Sequence, residues 1–305
     1  MNSRALARGG TGYLEIRGFC ISLSLVVGKR VAPEKPAFSR DTRYRKDLIM
    51  GITLAVAGKG GVGKTSFTAL VLKALMEAGK KPILAIDADS NSNLHEVLGI
   101  RLPRSVGCVR EETRKMGDDV PGGMSKDRFM EYQIQASLEE TKDLDFLAMG
   151  RPEGPGCYCM ANNILREVIS RLTSNYSFVV IDNEAGMEHL SRRTEENVDH
   201  LFIISDPSPR SLRTIGRIVE LIDELGGRIH KKHLVLSRVN GAAEELPETV
   251  QDEIGRLPYA PEALIPYDDT LVHLDLAGKP LLRIPDEAVS YQAVKKLLND
   301  IGVLN

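Results

Sequence analysis

The chain has little that would mark it for the cell exterior, a membrane or a nucleic acid. Four cysteines in 305 residues are too few for a disulfide framework and fit a reducing cytosol. There is no block of Lys or Arg. With 40 basic residues against 42 acidic ones and a formal charge of −2, neither a nucleic-acid surface nor a polybasic membrane anchor is expected. The apolar run from Phe19 to Val27 falls short of the roughly 20 residues that a spanning helix needs. No A-x-A-like cleavage site follows it, so export is rejected. The six histidines form no H-x₃-H or similar cluster, so no separate metal store is expected. What is present, 42% hydrophobic and 27% charged residues, is an ordinary globular composition.

The most informative residues are Gly58-Lys59-Gly60-Gly61-Val62-Gly63-Lys64-Thr65, which follow the apolar run Ile52 to Ala57 and open a helical pattern. Strand, glycine-rich loop and helix in that order make a phosphate loop. The glycines let backbone N–H groups turn inward around phosphate oxygens, the helix N-terminus adds the positive end of its dipole, and Lys64 neutralises the outer phosphates. Thr65 supplies a hydroxyl for Mg²⁺, and Ser66 beside it is counted among the nucleotide contacts. A nucleoside triphosphate, taken as ATP, is the expected ligand. Lys59 is unusual, because the position after the first motif glycine tolerates almost any residue. It is either a solvated surface lysine or a cation that reaches across a two-fold axis to a partner's nucleotide, as arginine fingers do.

The heptapeptide K-G-G-V-G-K-T resembles the deviant phosphate loop of the MinD/ParA/nitrogenase iron protein superfamily. The resemblance implies the second reading of Lys59, with hydrolysis dependent on a homodimer.

From Met50 onward, buried strands alternate with amphipathic helices and no long linker intervenes. The expectation is one P-loop ATPase domain over residues 50–305 of the SIMIBI/MinD type, an α/β doubly wound, mostly parallel sheet. Residues 1–49 are arginine-rich and poorly periodic, and are expected to be a disordered or mis-assigned extension. Strands are predicted over Ile83 to Asp87, Leu144 to Met149, Phe178 to Asp182, Leu201 to Ser205 and Leu234 to Ser237. Helices are predicted over Thr65 to Ala78, Leu94 to Leu98 and Ser211 to Leu225, the first and last of them stopped by Gly79 and Gly226.

Ligands of such sheets gather beyond the carboxyl ends of strands. The second strand leads into Asp87-Ala88-Asp89, two aspartates that project to one side if the strand continues. The resemblance makes Asp89 the group that orients the attacking water, with Asn93 assisting. The alternative is that Asp89 and Ser90 cap the following short helix. Val179-Val180-Ile181-Asp182 has the form of a strand that feeds one aspartate to a metal-bound water. The superfamily pattern D-T-P-A-G is replaced here by Asp182-Asn183-Glu184-Ala185-Gly186, in which Gly186 keeps the hinge whose N–H meets the γ-phosphate. Asn240 and Tyr267 occupy loops where the superfamily contacts adenine, although turn chemistry explains the neighbouring prolines equally well.

Cys157-Tyr158-Cys159 lies in a glycine- and proline-rich stretch. Thiols one residue apart make a strained disulfide but a reasonable half of a metal site. Two chains together would supply a tetrahedral S₄ set suited to Zn²⁺, Cu(I), Fe–S or Ni²⁺. The segments Met149 to Cys159 and Asp182 to Arg193 are similar to the nickel-insertion ATPases of carbon monoxide dehydrogenase maturation, and that similarity covers residues 50–305. It implies an ATP-controlled, cytoplasmic homodimer that holds Ni²⁺ (or Zn²⁺) between Cys157 and Cys159 of each subunit. The partner would be apo carbon monoxide dehydrogenase or a similar nickel-iron-sulfur enzyme, with no nucleic acid and no membrane involved. Cys20 and Cys108 do not match the motif and are read as incidental, and His189 as structural. An ATP-gated iron–sulfur electron carrier is the first alternative, and a positioning ATPase of the MinD/ParA type the second.

Overall fold

The computed structural model describes residues 51–116, 120, 123–150, 169–183, 198–224, 229–241 and 245–305. The expected extension, Cys20, Cys157, Cys159, Gly186 and His189 lie outside these residues. The described elements run in the order β1 (Ile52–Gly58), α1 (Lys64–Glu77), β2 (Ile83–Ala88), α2 (Leu94–Leu98), α3 (Val106–Lys115), α4 (Lys126–Gln135), β3 (Glu139–Glu140), β4 (Asp145–Ala148) and β5 (Phe178–Asn183). They continue with β6 (Val198–Ser205), α5 (Pro209–Glu224), β7 (Ile229–Val239), α6 (Glu248–Gly255), β8 (Ala263–Pro266), α7 (Asp269–Leu276) and α8 (Val289–Asp300).

The strands form one eight-stranded sheet among the described residues, in the order β3-β4-β2-β5-β1-β6-β7-β8. Every pairing is parallel except β3 with β4. The central strands are apolar on both faces because both faces are covered. In β1, Leu54 and Val56 pack with α1, α2 and α8, while Ala55 and Ala57 pack with α3, α4 and α5 on the other side. β2, β5 and β6 divide their side chains between the same two layers. No helix among the described residues is long and apolar enough to cross a membrane.

α1 lies at the middle of one layer and is buried almost all round, from Phe67 to Leu75. α8 closes over it with Tyr291, Val294, Leu297 and Leu298, and a polar clasp fixes the pair. Lys73 on α1 bonds Glu77 one turn on, and its Nζ reaches Asp286 at 2.9 Å. The Tyr291 hydroxyl donates to Glu77 at 2.6 Å, and the Lys73 ammonium sits 4.8 Å from the Tyr291 ring centre.

Two expectations need correction. β7 is far longer than Leu234 to Ser237, because its polar first half, Ile229 to Lys232, pairs with β6. β8 is not among the predicted strands: it is only four residues long and ends in Pro266, yet it pairs in parallel with β7 from Ala263 to Pro266.

Candidate functional site

β1 stops at Gly58, where the chain passes against β6. A Cβ on Gly58 would stand 2.3 Å from the Ile204 carbonyl oxygen, and φ is 149°, so only glycine lets the loop begin here. The loop ends at Gly63, whose left-handed φ of 93° caps α1 and whose carbonyl accepts from Phe67 N–H at 2.9 Å. No acidic residue occupies the first turn of α1, so the positive end of its dipole is left to an external anion. Lys64 is buried, and its Nζ donates to the Lys59 carbonyl at 3.2 Å, which folds the side chain over the loop.

Beneath the loop two carboxylates lie side by side. Asp87 is the last but one residue of β2 and Asp182 the last but one of β5, paired in register. Asp182 is 1% exposed and accepts from Thr65 Oγ1 at 2.7 Å and Thr68 Oγ1 at 3.3 Å. Burial raises its pKa to about 7, and the Asp87 charge adds to this against the opposing pull of the Thr65 bond, Lys64 and Thr68. Asp87 is also raised by burial, to about 6, and the neighbouring Asp89 charge adds to this. Backbone N–H bonds from Leu94 and Asp89 pull it the other way.

Two buried, adjacent acid groups with a threonine hydroxyl between them and the phosphate loop form a hard oxygen donor set of the kind Mg²⁺ selects. Thr65 and Asp182 would hold the ion, directly or through water. Bound there with nucleotide, it would neutralise phosphate charge.

The DxD expectation is corrected in detail. β2 ends at Ala88, so Asp89 lies beyond the strand and the alternation that would put it on the side of Asp87 does not extend to it. Asp87 is the residue that holds the turn, taking Asp89 N–H at 3.0 Å and Leu94 N–H at 2.9 Å, and it thereby caps α2. Asp89 instead accepts from Asn91 N–H at 2.8 Å. It is half-buried, and Asn93 is exposed at the start of α2.

On the other side of the loop, Asp206 follows β6 and accepts from Ser208 N–H and Ser211 Oγ, each at 2.9 Å. Burial raises its carboxyl, but these bonds and the nearby Lys59 charge outweigh it and lower the pKa. Lys59 follows Gly58, which pairs with Ile204, and so lies near the end of β6. Asn240 and Tyr267 are both exposed, just past the ends of β7 and β8. The Tyr267 N–H donates to the Val239 carbonyl at 3.0 Å, which brings the two loops together. Cys108 is a free, exposed thiol in the first turn of α3.

Sequence reasoning placed Asp87 with Asp89 as a group that could face Mg²⁺ or the attacking water, but not as the residue that holds the turn, and it missed Ser237. Ser237, at the end of β7, had no distinguishing signal. Its hydroxyl donates to the Val62 carbonyl of the phosphate loop at 2.6 Å.

Loop, buried aspartate and parallel sheet define a P-loop nucleotide-binding protein. Residues 53–281 match the CobQ/CobB/MinD/ParA nucleotide binding domain, and the chain belongs to that family of ATP-binding, ATPase-type proteins. It is 44% identical over 250 residues to an uncharacterized ATP-binding protein, MJ0685, of Methanocaldococcus jannaschii, covering 81% of this chain and 97% of that protein. It is 33% identical over 185 residues to the carbon monoxide dehydrogenase accessory protein CooC of Rhodospirillum rubrum, covering 57% of this chain and 70% of that one. Among solved structures, the septum site-determining protein MinD complexed with Mg-ADP from Pyrococcus horikoshii OT3 aligns with a TM-score of 0.58 at 22% identity, over 84% of this chain and 97% of that one.

Proposed function

We propose that this ATPase is a metal carrier that works as a pair of identical subunits. Cys157 and Cys159 of each subunit together hold a transition metal, nickel in the first place and zinc as the alternative. The cargo is delivered to apo carbon monoxide dehydrogenase or a similar nickel-iron-sulfur enzyme. ATP draws the two subunits together, with Lys59 serving the partner's nucleotide, and hydrolysis loosens both the pair and the metal. Metal and ATP-bound dimer favour each other reciprocally.

The observation that carries this reading is the C-x-C pair in a chain that also has Lys59, since both features call for the same two-fold dimer. The similarity to CooC supports it. So does the course of the chain leaving β4. Met149 N–H donates to the Asp87 carbonyl at 2.8 Å, so the segment that leads to the cysteines departs beside the nucleotide-site aspartate. A membrane-positioning role draws no support from α8, whose apolar face is spent on the core.

Metal analysis of anaerobically purified protein tests the reading. Cys157→Ala and Cys159→Ala are each expected to lose stoichiometric metal and still bind nucleotide. Equal metal content in variants and parent refutes the cysteine assignment, and iron with sulfide in place of a single ion favours an electron carrier.

A further inference from the structure

The phosphate loop has a brace outside its own sequence. β7 alternates its side chains between two layers: Val235 packs with α1, so Ser237, two residues on, faces the same side at the strand's carboxyl end. A bulge then separates Ser237 from Val239, with Arg238 in the left-handed region at φ 58°. The extra residue returns Val239 to the layer that holds Leu236. Ser237 is thus left buried beneath the phosphate loop while the chain turns outward.

Its hydroxyl has one hydrogen and two carbonyls in reach, Val62 at 2.6 Å and Ser205 at 3.3 Å, and the shorter contact takes it. The Val62–Gly63 peptide needs such a partner. Its orientation is set by the Val62 ψ and the Gly63 φ, and Gly63 lies in the left-handed region at φ 93°, with no atom beyond its chain neighbours within 4 Å of where a side chain would stand. Val62 is anchored by its buried side chain, so the freedom to turn that peptide lies on the Gly63 side, where glycine's backbone makes rotation cheap. In a planar trans peptide the C=O and N–H point in opposite directions. Holding the Val62 carbonyl toward β7 accordingly holds the Gly63 N–H away from β7 and toward the loop's own concavity.

We propose that Ser237 is a positioning residue for phosphate binding, which locks the Val62–Gly63 peptide through the Val62 carbonyl so that the Gly63 N–H is presented to the nucleotide's phosphate oxygens. Without the hydroxyl that peptide samples the flipped orientation, in which a carbonyl oxygen replaces an N–H donor and repels phosphate. The proposal rests on the ATP-binding assignment alone and is independent of the metal reading.

The test uses the full, metal-free chain and MgADP as probe, with the parent's own binding as control. Ser237→Ala is expected to raise the dissociation constant for MgADP and the KM for ATP about tenfold, the loss of one hydrogen bond's net contribution. The melting temperature of the nucleotide-free protein should move little, and Ser237→Thr, which keeps the hydroxyl, should restore binding to within about threefold. Should Ser237→Ala fail to fold, Ser237→Cys takes its place, with similar shape and a poor donor. MgADP affinity unchanged in the variant that lacks the hydroxyl overturns the proposal. So does an equal loss in Ser237→Thr, because the hydroxyl is then not the cause.

Discussion

Thr65 on α1 donates its hydroxyl to Asp182 near the end of β5 over 2.7 Å, joining the first turn of the phosphate-loop helix to the neighbouring strand. The acceptor is a carboxylate that burial holds near pH 7, so the site stores unfavourable charge that a cation would relieve. A folded pKa raised above the unfolded value of about 4 means that the ionised group costs stability at every pH above that value. Asp182→Asn is therefore expected to stabilise the nucleotide-free protein by about 1–3 kcal/mol at pH 8 and to reduce ATP hydrolysis at least about a hundredfold. Calorimetry and a phosphate-release assay on the same sample check both halves. A destabilised variant would show that the burial cost is misjudged.

Lys59→Ala should bind nucleotide within about tenfold of the parent yet turn it over far more slowly, since a cation that acts on the partner's nucleotide contributes in the transition state. Turnover equal to the parent's at matched dimer population removes the in-trans role.

His200 on β6 and His233 on β7 share a hydrogen bond of 2.9 Å, and His233 bonds Glu262 at 2.6 Å. Burial lowers the His200 pKa to about 4, with the His233 and Lys231 charges adding to it. The folded protein keeps His200 neutral while the unfolded chain takes up a proton near pH 6.5, so stability is lost as pH falls from about 6.5 to 4. Between about pH 7.5 and 5 this group alone removes about 2 kcal/mol. Asp87 and Asp182 titrate in the same range with opposite sign. The test is therefore the pH dependence of the difference between parent and His200→Phe in urea unfolding. A difference that does not change with pH rejects the assignment.

Gly58→Ala is expected to cost about 3 kcal/mol or more, because the new methyl meets the Ile204 carbonyl oxygen at 2.3 Å. Tyr291→Phe, which removes only the hydroxyl on Glu77, should cost about 1 kcal/mol. Chemical denaturation ranks the two, and the reverse order would contradict the packing described for β1 and α8.

How much was legible depended on whether the cause was local. The phosphate loop, β1, β2, β5 and β6 were readable because burial on both faces writes continuous apolar runs, and Leu94 to Leu98 was placed to the residue. The first half of β7 was not, since Ile229 to Lys232 is polar and lies at a part of the sheet that stays partly exposed. β8 escaped for its brevity and its closing proline. Within the site, Thr65, Lys64 and Asp182 announced themselves by motif. The roles of Asp87, Ser237 and the His200–His233 pair depend on partners 7, 175 and 33 residues away, and spacing along the chain carries no signal of such contacts.

The most direct test of the central claim is sedimentation of the anaerobically purified chain with MgATP and nickel, followed by metal analysis of the sedimenting species. The account predicts a two-chain particle that carries one nickel and falls apart after hydrolysis or when Cys157 and Cys159 are replaced. A single-chain particle without nickel, under saturating concentrations of both ligands, contradicts it.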